Sequence, residues 1–114
     1  MTTKQVSSWE SKRTDESRMV EDNLQESGSF DRVDAYRYNS ASLRVRVIDR
    51  RFEAIPRDDR DAIVEPHIDK LPPETQSDIV TLVLLAPSEC ENPNGTFREF
   101  MLNHEFENPS PTML

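Results

Sequence analysis

The sequence predicts an α+β domain of two layers, helices packed on a small mixed sheet, and three stretches carry that expectation. Residues 43–48, Leu-Arg-Val-Arg-Val-Ile, alternate apolar and basic side chains, as a strand does with one face on a core and one toward water. Residues 79–85, Ile-Val-Thr-Leu-Val-Leu-Leu, are apolar on both parities, as in a strand covered on two sides. The segment between them, helical over 57–71, is long enough for a crossover. Such connections are nearly always right-handed, so the two strands run parallel if they are neighbours.

Taken in order, residues 1–14 are polar apart from Val6 and Trp9 and form a flexible N-terminal tail, with Trp9 expected at the surface. The packed domain spans 15–90. Its first helix covers 15–27, with acids early, Val20 and Leu24 one turn apart, and a stop at Gly28. A weakly alternating strand follows over 31–38. The turn residues Asn39-Ser40-Ala41-Ser42 fold it back antiparallel on 43–48. Pro56 opens the crossover helix, Ala62, Ile63 and Val64 begin its buried stripe, and Pro66 predicts a kink or two short helices before Pro72-Pro73 stops it.

The remainder, 91–114, is a polar tail with a short helix over 97–104. Thr96 and Glu99 have the spacing of a capping box, and Phe97, Phe100 and Met101 recur on one helical face, with Phe106 beyond in an acidic frame. One face of strand 79–85 needs a cover. Phe97, Phe100, Met101 and Phe106 are the candidates within the chain, and a second copy or a free tail that binds a partner are the alternatives; the chain is thus expected as a monomer or weak homodimer.

Composition narrows the chemistry. The 114 residues amount to one domain with a modest core, 34% hydrophobic and 32% charged. A formal charge of −8 disfavours unspecific binding to nucleic acid or an anionic membrane. Cys90 has no partner for an internal disulfide, and with His67 and His104 it offers too few ligands for structural zinc; no cofactor is expected. No apolar run approaches the roughly 18 residues that span a bilayer, and the start of the chain lacks a signal-peptide pattern, so the expected location is the cytoplasm.

Local basicity runs against that acidity. Arg37, Arg44, Arg46, Arg50 and Arg51 are the candidate anion or nucleic-acid surface; the plainer reading is an outer strand face balanced by Asp31, Asp34 and the crossover acids. His67 as a general base requires a nucleophile and an orienting group, and His104 and Cys90 lack recognisable partners, so no enzyme is expected. Asp58, Asp59 and Asp61 read as acids at a helix N-terminus rather than a metal site.

The order helix, hairpin, helix, strand, together with Arg51-Phe52-Glu53-Ala54 and Leu85-Ala86-Pro87-Ser88-Glu89, resembles the BolA family, with its Arg-Phe-Glu-Gly-like turn and Leu-Thr-Pro-Glu-like strand end. The likeness spans 16–89 and implies the αββαβ fold related to class II KH domains, with a three-stranded mixed sheet. It also implies a monothiol glutaredoxin partner and a shared iron–sulfur cluster, held by a histidine at the start of the last strand and a histidine or cysteine in the hairpin loop. Here the first position falls on Asp78 and the loop 39–42 has neither residue, so the cluster role is withheld. A KH-type GXXG clamp is also missing, with Gly28 and Gly95 the only glycines. The leading expectation is a small non-enzymatic protein-interaction or regulatory domain; a KH-like nucleic-acid module using residues 37–60 and a glutaredoxin partner in iron–sulfur handling are the alternatives.

Overall fold

The computed structural model describes residues 9–91 and 97–112; the expected cap at Thr96 and the side chain of Phe97 lie outside the described residues. Helix α1 (Asp15–Gly28) starts where Thr14 and Ser17 cap each other: the Ser17 amide donates to Thr14 Oγ1 at 3.1 Å and the Thr14 amide to Ser17 Oγ at 2.8 Å. This reciprocal pairing satisfies two amides that a helix start leaves without partners. The hairpin follows as β1 (Arg32–Asn39) and β2 (Ser42–Ile48), antiparallel, with Asp34 opposite Arg46 and Tyr36 opposite Arg44.

A short 3-10 turn (Arg50–Ala54) leads into α2 (Arg57–Ile68) and α3 (Pro73–Asp78), then β3 (Ile79–Leu85). β3 runs parallel to β2, Val45 beside Leu82 and Val47 beside Leu84, giving a mixed sheet in the order β1-β2-β3. Pro66 lies within α2 two residues before its end, and Leu71 anchors the link to α3 as a buried residue. The sequence predicts no helix for 74–77 or for the polar stretch 88–94; the first lies within α3, and the described start of the second lies within α4 (Pro87–Glu91). The last helix, α5 (Phe97–Glu107), runs three residues past its expected end at 104.

Two apolar cores flank the sheet. On one side Leu43, Val45 and Val47 of β2 meet Val20 and Leu24 of α1, Phe30, Phe52, Val64 and Leu84. Full burial of such a side chain stabilises the fold by roughly 1.5–3 kcal/mol each. On the other side Trp9, Tyr36, Val83, Leu85 and Phe106 form a second core. The two apolar parities of β3 are thus each used, one per core.

Two expectations are corrected by that second core. The arginine side of β2, assigned to water, is covered: Arg46 is 1% exposed. Trp9, assigned to the surface, is 4% exposed, its ring 6.1 Å from Tyr36 and 5.6 Å from Phe106. An aromatic cluster that removes three large rings from water outweighs the entropy of ordering a terminal segment.

Candidate interaction surface

The sheet face beneath α5 brings together most of the unusual chemistry. Cross-strand register places Asp34 against Arg46, whose Nε and Nη2 both donate to Asp34 Oδ2, at 3.1 and 2.7 Å. The same hairpin places Arg44 against Tyr36, and its guanidinium carbon lies 3.6 Å from the centre of the Tyr38 ring, a close cation–π contact. Both arginines are therefore aimed by strand residues.

Helix α5 lays acids on them. Arg44 Nη1 donates to Glu105 Oε2 at 2.9 Å, and Arg46 Nη1 donates to Glu107 Oε2 at 2.8 Å and Asn103 Oδ1 at 2.7 Å. Phe106, between the two acids, is 1% exposed, with its ring 4.8 Å from Tyr36 and the Arg46 guanidinium 4.6 Å above it. The Tyr36 hydroxyl donates to the Phe106 carbonyl at 2.8 Å. Burial pushes the Tyr36 hydroxyl pKa up, against the pull of Arg44. For Glu105 burial works upward too, but hydrogen bonds from Ser110 and Arg44 outweigh it and hold the carboxyl below its ordinary range. Beyond α5 the chain stays on the hairpin, the Tyr38 hydroxyl donating to the Ser110 carbonyl at 2.8 Å.

Of the apolar tail residues singled out in the sequence, Phe106 packs, whereas Phe100 and Met101 are exposed at 42% and 44%. The face that docks carries Glu99, Asn103, Phe106 and Glu107, offset from the apolar stripe. On this face Asn103 and Glu107 meet Arg46 of the sheet, Glu99 meets Arg57 of α2, and Phe106 enters the second core.

A second feature lies along β3, an edge strand of the sheet. Its trailing half is closed: Arg60 Nη1 donates to the Leu84 carbonyl at 3.0 Å, and Arg57 reaches Glu99 of α5 at 2.7 Å. Beside this pair sits a small cleft of about 140 Å³ lined by Arg57, Asp61, Leu82, Arg98 and Leu102 among others. The leading half of the edge is open. Val80 there is 64% exposed; Leu102, on the wall of the cleft beside the trailing half, is 36% exposed.

The five candidate arginines are not gathered on one open surface. Arg37 pairs with Glu16 and, at 3.0 Å, with Asp78, which is thereby occupied as an ion-pair partner. Arg44 and Arg46 lie under α5, Arg51 binds Asp49 at 2.8 Å and the Gly28 carbonyl at 3.1 Å, and Arg50 extends into solvent 3.8 Å from Asp31. His67 Nδ1 stands 2.7 Å from Ser27 Oγ, which also accepts from Lys70 Nζ at 3.0 Å. This trio joins α1 to the end of the crossover. Ser27 sits in the last turn of α1, where the helix presents carbonyls and not the amide donors that an oxyanion requires. Burial raises the Cys90 thiol pKa, which disfavours the reactive thiolate. His104 is exposed and stacks on Phe100, and among the described residues no cluster of three or more His, Cys, Asp or Glu could hold a metal ion.

Sequence reasoning missed Asn103 as a site residue, weighed Trp9 as a partner's anchor or a surface residue and not as a core ring, and used Asp34 only as a general counter-charge. The signal for Asp34 was present: a hairpin turning at 39–42 puts 34 opposite 46. Comparison with protein-family models, curated proteins and solved structures found no match for this chain.

Proposed function

We propose that the chain is a small non-enzymatic protein-interaction or regulatory domain of BolA-like type. The observation that carries this reading is the leading end of β3, where an edge strand presents Val80 to solvent. Edge strands with exposed apolar side chains are surfaces that other chains pair with. The element order and the turn Arg51-Phe52-Glu53-Ala54 support the family likeness. The pairing of Asp78 with Arg37 weighs against an iron–sulfur ligand there, and the burial of Arg46 weighs against an open nucleic-acid face.

The test is capture from a cell extract with the full chain and its Val80→Glu variant as baits, with and without nuclease. A partner retained through nuclease and lost with Val80→Glu is the expected result. Capture that disappears with nuclease overturns the reading in favour of nucleic acid.

A further inference from the structure

We propose that the sheet face beneath α5 is a docking site for a partner segment presenting an acid–aromatic–acid triplet on a helix, and that Glu105-Phe106-Glu107 is the chain's own resident occupant of it. The receptor half of this face is held by the sheet and not by the occupant. Arg46 is neutralised by Asp34 on the neighbouring strand, and Arg44 rests on Tyr38 and donates to the Tyr36 hydroxyl at 3.3 Å. Both guanidinium groups therefore keep their aim and a partner if α5 leaves, so no buried charge is stranded.

The occupant half is slight by comparison. Among the described side chains of α5 only Glu99 and Phe106 are buried, whereas α1 buries Ser17, Val20, Glu21, Leu24 and Gly28. One ring, the Tyr36 bond to its carbonyl, the Arg46 bond to Asn103 and a few ion pairs make up the grip, and the ring and acids among them are what a second acidic helix with an aromatic between two acids reproduces. The choice of a peptide over a polyanion follows from charge: the whole chain carries −8, which repels a run of phosphates but leaves a short triplet matched to Arg44 and Arg46. Tethering holds the resident segment at an effective concentration of about millimolar, so a partner in solution competes poorly until the tail is weakened. The face is thus self-masked. It is distinct from the Val80 edge and does not rest on the function proposed for that edge.

The probe is a fluorescein-labelled synthetic peptide of residues 97–112, titrated by anisotropy against the full-length protein. Phe106→Ala and the double variant Glu105→Gln/Glu107→Gln weaken the resident tail; the second keeps the ring and so guards against a variant that fails to fold. We expect at least tenfold tighter binding to a folded tail-weakened protein than to the wild type, loss of binding when the peptide's own Phe is replaced by Ala, and a change in Trp9 emission on binding. Val80→Glu leaves this binding unchanged, which separates the two proposals. Equal binding by wild type and folded variants, or no binding by any, overturns the inference. So does a tail-weakened protein that binds a labelled oligothymidylate and not the peptide.

Discussion

Every N–H of the Arg60 guanidinium edge is matched: it donates to the carbonyls of Phe52, Ile55 and Leu84 and to both oxygens of Glu89, at 2.7 to 3.2 Å. The fork shape of arginine is what makes that possible, and lysine offers only a point charge. Arg60→Ala leaves a half-buried carboxylate and three carbonyls behind, an expected loss of about 2–4 kcal/mol in urea denaturation. Arg60→Lys restores the charge but not the carbonyl contacts and recovers only part of that loss. At the end of α1 the expected glycine stop is displaced by one residue. Ser29, with φ 52°, takes the left-handed position, and Gly28 is needed for a different reason, since a Cβ there would run into the Phe30 ring. A non-glycine residue is strained in the left-handed position, so Ser29→Gly is expected to stabilise the protein by about 0.5–1 kcal/mol, read as a higher melting temperature, and Gly28→Ala to lower it.

At the scale of elements, the strands were legible because their signal is local. Alternation at 43–48 and double-sided apolarity at 79–85 each specify an environment, and the crossover between them leaves parallel pairing as the simple outcome. The short helices α3 and α4 were not legible, having six and five residues and little apolar periodicity. The rotation of α5 was not legible either: its apolar stripe at 100 and 101 suggested one docking face, and the acids that meet Arg44, Arg46 and Arg57 lie with Phe106 on another. Long-range charge pairing has no local pattern in the chain. A helix held this way is expected to open without global unfolding. Amides of α5 should exchange with solvent at least tenfold faster than those of β2, and faster still in about 0.5 M salt, where exposed ion pairs are screened. Equal protection of the two elements would show that α5 belongs to the same cooperative unit as the sheet.

At the scale of the molecule, two opposing electrostatic effects meet as pH falls. A net charge of −8 at neutrality is self-repulsive, so protonating scattered surface acids relieves strain on the fold. Against this stand carboxylates whose charged form the fold favours. At Asp49 and Glu89 burial works to raise the pKa, but Arg51 with two backbone amides, and Arg60 with the Ala86 amide, more than reverse it and hold both below their ordinary values. With the folded pKa depressed, the unfolded chain takes up protons first, so this stabilisation is complete above the ordinary carboxylate range near pH 4 and is lost as pH drops through the folded values. The repulsion is spread over the surface and screened by salt, whereas these two carboxylates tie α4 and the 49–52 turn to arginines within 3 Å. The local term therefore dominates at the acid end. The urea midpoint is expected to change little between about pH 7 and 5 and to fall steeply below about pH 4, with Glu89→Gln giving a lower but flatter profile. A midpoint that rises below about pH 4 would place the balance with the global charge instead.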